Sequence, residues 1–244
     1  MKKLPLWVKL PSRWIEERGL RDFRWTRGEG ANNLAGLMSL AVIAHHADAD
    51  TGVARLTYDD VSAIASLSRA KLSAGLSLLA ERNLVEPGPG GRSHYRLVGY
   101  QPASGWAKFP AAALYSNGVV AMFASFHLRL RSELDALKLY FLLASRRDRN
   151  TGLTRISYDK IEEYAGIPRP GIVNARSVLA AHGLVRIEFM PSTVSEKGVA
   201  SAYRLAYLDS YRHMGTIGRR FEDWDADGDT VTAGEAQKAG DWPS

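Results

Sequence analysis

The chain has no cysteine among its 244 residues, which excludes disulfide staples and thiolate metal sites and makes a reducing, cytoplasmic setting the expected one. Long apolar runs are missing as well. No stretch approaches the ~20 apolar residues of a membrane helix, and in the opening MKKLPLWVKLP, Lys9 and two prolines interrupt what a signal peptide needs as one run. Catalytic signatures are also absent: there is no Ser/His/Asp spacing and no phosphate-cradling G-x-x-x-x-G-K-[ST]. The expectation is a protein that is not an enzyme, takes no cofactor and has no membrane partner.

Acid is scarce everywhere except at one end. From Glu222 to Ser244 there are seven acids and one lysine, leaving 31 basic against 19 acidic residues, a net +12, in the rest of the chain. A body so basic suggests a polyanionic partner.

What the sequence does contain is a repeat. Residues 51–86, TGVARLTYDDVSAIASLSRAKLSAGLSLLAERNLVE, return without a gap at 151–186 as TGLTRISYDKIEEYAGIPRPGIVNARSVLAAHGLVR, with 12 of the 36 positions identical. Among these are Gly52/Gly152, Arg55/Arg155, Tyr58/Tyr158, Asp59/Asp159, Arg69/Arg169, Ser77/Ser177 and Leu79/Leu179. Upstream, Trp7-Val8-Lys9-Leu10-Pro11 matches Trp106-Ala107-Lys108-Phe109-Pro110, and downstream Tyr95-Arg96-Leu97 matches Tyr203-Arg204-Leu205, displaced by eight further residues. The expectation is a duplication with units at 1–100 and 101–208, each long enough for a core of its own, and a flexible acidic tail at 209–244. Such a tail either competes with a polyanion for the basic face or serves as an inert, solubilising end.

Each unit reads in the same order. Leu34, Leu37, Met38, Ala41 and Val42 recur at helical spacing, as do Leu134, Leu137, Phe141 and Leu142, so each first helix turns one apolar face inward. After a polar TG turn comes a short strand at 53–56. Thr57 and Ser157 stand as N-caps, with Asp59 and Asp159 in the first turn of the second helix. Leu67-Ser68 and Ile167-Pro168 mark a turn before a third helix, which stops at Asn83 and Gly183, residue types that tolerate the left-handed C′ position. A two-stranded hairpin closes each unit, with a tight tip at 87–92 and a longer one at 191–201. The fold class is therefore mainly α with small β-hairpins, an α+β chain. The segment RWIEERGLRDFRWTR at 13–27, which interleaves arginine with aromatics, fits either a phosphate-tracking stretch or an amphipathic strap.

Helix, strand, helix, turn, helix and hairpin is the order of a winged helix. The motifs [TS]-Y-D-x-[VI], A-x-[LI]-x-R and L-A-x-x-x-L-V, present in both copies, resemble the winged helix-turn-helix domains of plasmid and phage replication initiators and related mobile-element regulators. The resemblance covers residues 7–208 and implies two tandem winged-helix domains. In that architecture the third helix leads into the major groove with its N-terminal part. Leu72, Gly75, Leu76 and Leu79 take the core face, so Arg69, Lys71, Ser73 and Ser77 face outward, as do Arg169, Asn174 and Ser177 in the second unit. Arginine suits the O6 and N7 of guanine, and asparagine suits adenine. Arg69 and Arg169 are read equally well as holding a phosphate or an acid of the preceding helix. Arg176, in the place of Leu76, marks either a rotated helix or a functional position. Arg92 and Lys197, on the hairpin tips, are candidates for phosphate or minor-groove contact.

Two further clusters are weighed as metal sites. His45-His46-Ala47-Asp48-Ala49-Asp50 becomes Ser145-Arg146-Arg147-Asp148-Arg149-Asn150 in the second copy, so the fold does not need a metal there, and the adjacent histidines lack the His-apolar-His spacing of rolling-circle nucleases. Asp223, Asp225, Asp227 and Gly228 follow the start of a calcium loop, but Gly234 stands where its glutamate belongs. No metal is expected. The sequence thus predicts a site-specific double-stranded DNA-binding protein, monomer or homodimer, acting with replication or transcription machinery. The alternative is a non-catalytic protein-interaction scaffold.

Overall fold

The computed structural model describes residues 3–91, 93–191 and 199–208. The fold is mixed α/β with small antiparallel sheets. The first unit runs β1 (Trp7–Pro11), a short α1 (Arg13–Glu16), a 3-10 turn (Gly19–Asp22), α2 (Gly30–His46), β2 (Val53–Arg55), α3 (Tyr58–Ile64), α4 (Arg69–Glu81), β3 (Val85–Pro87) and β4 (His94–Leu97). The second runs β5 (Trp106–Pro110), a 3-10 turn (Ala112–Leu114), β6 (Tyr115–Ser116), β7 (Val119–Val120), α5 (Ala121–Ala124), α6 (Arg131–Ser145), β8 (Leu153–Arg155), α7 (Tyr158–Ala165), α8 (Arg169–Ala181), β9 (Val185–Pro191) and β10 (Val199–Leu205).

Local chemistry sets these boundaries. Thr57 and Asp60 form a reciprocal capping box at the start of α3, and the Ser157 hydroxyl accepts from the Lys160 amide at 3.2 Å to begin α7. Asn83 and Gly183 sit at φ 54° and 66°, the left-handed conformation that ends α4 and α8. The short strand at 53–55 does not stand apart from the hairpin: it pairs with the hairpin's second strand, giving three-stranded sheets in the order β2-β4-β3 and β8-β10-β9.

Two expectations are corrected. The first helices do not turn only one face inward. Every residue from Asn33 to His45 is buried on α2, as is every residue from Glu133 to Ala144 on α6. Each packs its own third helix on one side and the other unit on another, because α2 and α6 touch directly. Nor do the units keep separate cores, since their buried side chains form one continuous cluster.

The lead-in strands explain the fusion. β1 pairs antiparallel with β5, Trp7 opposite Pro110, Lys9 opposite Lys108 and Pro11 opposite Trp106. The two strands are repeat counterparts of each other, and exchanging the units maps the pairing onto itself. The chain is an internal pseudo-dimer with its pseudo-twofold axis at Lys9 and Lys108. Trp7 and Trp106 stack with centroids 5.9 Å apart, and Lys108 Nζ lies 4.4 Å from the Trp7 ring and Lys9 Nζ 5.4 Å from that of Trp106. The segments after these strands cross over. Arg18 pairs with Glu163 of α7, the Arg21 Nη1 donates to the Glu163 carbonyl at 3.1 Å, and β7 packs on α3. The arginine-aromatic stretch at 13–27 is thus a strap, tied to the other unit's second helix. No helix among the described residues is long and apolar enough to cross a membrane.

Candidate nucleic-acid interface

α4 and α8 are counterpart helices of 13 residues each and carry most of the sequence candidates. Both bury the same three positions, Leu72, Gly75 and Leu79 in α4 and Ile172, Ala175 and Leu179 in α8, so α8 is not rotated relative to its counterpart. Their opposite faces are open: Arg69, Ser73 and Ser77 on the first, and Arg169, Val173, Asn174 and Ser177 on the second, are all exposed. Each helix is started by a local device. The Ser68 hydroxyl accepts from the Lys71 amide at 3.3 Å, whereas Pro168 and Pro170 bracket the start of α8.

Both leading arginines are engaged. Arg69 Nη2 lies 2.5 Å from Asp59 Oδ1 and Arg169 Nη2 lies 2.5 Å from Asp159 Oδ1. This recurring pair accounts for two identities of the repeat at once, Arg69/Arg169 and Asp59/Asp159. The pairs are solvent-exposed, with side-chain exposures of 74% and 69% in the first and 63% and 75% in the second. An exposed ion pair contributes about 0–1 kcal/mol, while a bidentate arginine–guanine contact discriminates by about 1–3 kcal/mol. The pairing therefore orients the guanidinium groups without committing them.

Two candidates turn away from the outer face, Lys71 against the expectation and Arg176 as its core-type position implied. Lys71 leaves the outer face, and its Nζ donates to Asn32 Oδ1 of α2 at 2.9 Å. Arg176 turns inward: it donates to the Tyr158 hydroxyl and lies 5.8 Å from the Tyr158 ring centroid and 5.7 Å from that of Tyr203. It takes the packing place of Leu76, with the two tyrosine rings as its neighbours. In the first unit the equivalent Tyr58 has the Arg69 guanidinium 5.9 Å from its ring centroid and donates to the Arg69 carbonyl at 2.5 Å, closing the start of α4. Ser177 donates to the Val173 carbonyl at 3.1 Å, along its own helix. Arg92, Lys197 and the tail with its aspartates lie outside the described residues.

Two positions escaped the sequence reading. Arg55 and Arg155, identical in the two copies, are exposed on the outer strands β2 and β8 of the two sheets. Their recurrence was the available signal. Arg82 was also missed. It donates to the Asp22 carbonyl at 2.9 Å and Asn33 Oδ1 at 2.7 Å and lies 4.1 Å from the Phe23 ring centroid, so it locks the end of α4 to the strap.

The His45-His46 stretch is built into the unit boundary. Tyr115 Oη lies 2.9 Å from His45 Nδ1 and 3.4 Å from His46 Nε2, and burial, with His46 adding to it and the Pro110 carbonyl opposing, pushes His45 down to about 3. A neutral, buried imidazole in this setting is a packing group. Among the described residues no group of three His, Asp or Glu side chains is placed to hold a metal ion. No protein-family model matches the chain, and no curated protein matches it.

Proposed function

We propose that the chain is a non-enzymatic, sequence-specific double-stranded DNA-binding protein. In this reading both units are winged helices, and α4 and α8 enter neighbouring stretches of major groove. The observation that carries it is the pseudo-twofold relation of the units, each with an exposed helix whose leading arginine is held in the same pose. Dimeric helix-turn-helix proteins use the same symmetry to place two recognition helices about one turn of DNA apart. A net +12 outside the acidic end adds the long-range attraction for phosphate. The pseudo-symmetry favours an inverted repeat as target, and the faces Arg69-Ser73-Ser77 and Arg169-Val173-Asn174-Ser177 make its half-sites unequal. Arg55 and Arg155 on the adjoining strands are added as phosphate contacts. The resemblance to replication initiators suggests the role of replication initiator or transcription regulator on a plasmid, phage or integrative element, in the cytoplasm.

One observation favours the competing reading of a protein-docking scaffold. The helix faces carry paired rather than free arginines, and Val173 on the open face of α8 is 50% exposed. Duplexes selected from a random pool by the full chain separate the two readings. Binding is measured at two salt concentrations for the wild type, Arg69→Ala and Arg169→Ala. DNA reading predicts competitor-resistant, salt-steep binding that each substitution weakens by roughly 10–100-fold. Weak, sequence-blind binding that ignores both substitutions would overturn it in favour of docking.

A further inference from the structure

Between the units lies a cavity of about 120 Å3, walled by α2 through Ala41 and His45, by β5 through Phe109, by α6 through Leu137 and Tyr140, and by the crossing segment of the second unit. Its origin is a break in the pseudo-symmetry. Across the axis, the counterpart of Ala41 is Phe141, and Trp14 of the other crossing segment packs on it with centroids 6.1 Å apart. On the cavity side the same places hold Ala41 and the small side chains of Ala113 and Ala121. The void is what remains when two aromatic rings are replaced by methyl groups.

The walls are apolar except at a few points. Tyr140 and His45 are each 1% exposed, and neither the Tyr140 hydroxyl nor His45 Nε2 has a hydrogen bond of normal geometry among the described residues, although the Pro110 carbonyl lies close enough to His45 to oppose its loss of charge. Such buried polar atoms are normally satisfied, so a pair of them beside one void calls for a group that enters it. His182 also lines the cavity, but its ring nitrogens already face Ser125 Oγ and the Val178 carbonyl, each at 2.8 Å. His182 and Tyr207 are partly exposed and give the cavity a way out to solvent.

We infer that this cavity is a binding site for a small uncharged aromatic alcohol, about the size of phenol, whose hydroxyl pairs with Tyr140 Oη and His45 Nε2. Volume sets the upper limit: an apolar protein cavity of ~150 Å3 takes up benzene, so one of about 120 Å3 takes a single small ring at most. Chemistry sets the rest. A ring matches the Phe109, Leu137 and Phe123 walls, one hydroxyl serves as both donor and acceptor to the two unpaired atoms, and no charged side chain lines the cavity to balance an ion. His45, held neutral at ordinary pH, does not supply a charge either.

The test titrates the full chain with phenol and with toluene, following binding by calorimetry and melting temperature. Phenol is expected to bind saturably and to raise the melting temperature by about 2–5 °C at saturation. Tyr140→Phe keeps the space but removes the hydroxyl; it is expected to weaken phenol about tenfold and leave toluene unchanged. Ala41→Phe, which restores the ring present across the axis, is expected to abolish binding of both while the protein stays folded. Absence of saturable binding of either probe to the wild type up to ~10 mM overturns the site, and is also the result for a cavity that holds only water. Undiminished binding to Ala41→Phe overturns its location, and equal effects of Tyr140→Phe on the two probes overturn the role of the hydroxyl. With no DNA in the measurement, the outcome is independent of whether the chain reads DNA.

Discussion

Lys138 occupies a place that its repeat counterpart gives to Met38, and both are buried, at 3% and 0% exposure. Burial pushes the Lys138 amine down to about 8; the Asp135 carboxylate opposes this, while Arg131, Arg21 and Arg24 add to it. Asp135 in turn is held above its usual range by burial, against the pull of Lys138 and of Arg131, whose Nε lies 3.2 Å from Asp135 Oδ2. A lysine whose folded-state pKa lies below its unfolded value binds fewer protons when folded over the interval between the two. Stability contributed by this group therefore rises with pH from about 8 to about 10.5, and below pH 8 the cost of the buried charge is constant. Lys138→Met leaves Asp135 its Arg131 partner and is expected to stabilise the protein at pH 7 by about 1–3 kcal/mol. Urea unfolding at pH 7 and pH 10 checks it: the gap between variant and wild type is expected to narrow at the higher pH. A gap that widens, or a variant less stable at pH 7, contradicts the assignment.

Among the elements, α4 lies backbone to backbone against α2 at Gly75. A Cβ on Gly75 would lie 2.8 Å from the Gly36 nitrogen and 2.9 Å from the Ala35 carbonyl carbon, both backbone atoms of α2. The second unit has Ala175 and Ala136 at these places, so α6 and α8 accommodate a methyl group where α2 and α4 do not. In an exposed helix Gly→Ala gains about 1 kcal/mol, but overpacking against rigid backbone costs about 1–3 kcal/mol. Gly75→Ala is expected to lower the urea midpoint despite the better helix former, and a raised midpoint would show that the helices move apart freely. The helix order, the N-caps Thr57 and Ser157, and the stops at Asn83 and Gly183 were legible because each is signalled within a few residues. The Tyr158 and Tyr203 partners of Arg176 and the diversion of Lys71 to Asn32 were not, since both depend on groups brought in by tertiary packing. The crossing segment at 111–124 was also illegible: its elements are only two to four residues long, too short for a period to register.

At the scale of the molecule, the duplication was plain in the sequence, but the fusion of its halves was not. Trp7 to Pro11 reads as an extended apolar lead-in, and nothing local says that its partner is the repeat copy of itself. That pairing, with α2 against α6 and the straps crossing to α7 and α3, removes from water both faces of the first helices. A single unit would leave one of these faces open, with Ala41 and His45, which face the second unit and are at most 2% exposed in the intact chain, among the side chains at risk. Apolar burial stabilises by roughly 25 cal/mol per Å2, so a few hundred Å2 of newly exposed helix surface costs several kcal/mol, comparable to the whole stability of a ~100-residue domain. Residues 1–100 expressed alone are therefore expected to be molten or to self-associate through β1 as a homodimer that imitates the second unit. Sedimentation and amide NMR dispersion decide it. A monodisperse, well-dispersed monomer would show that the units are autonomous domains, and the two DNA-reading faces would then be free to move apart; a dimer would mean that their relative placement is fixed by the same core that folds them.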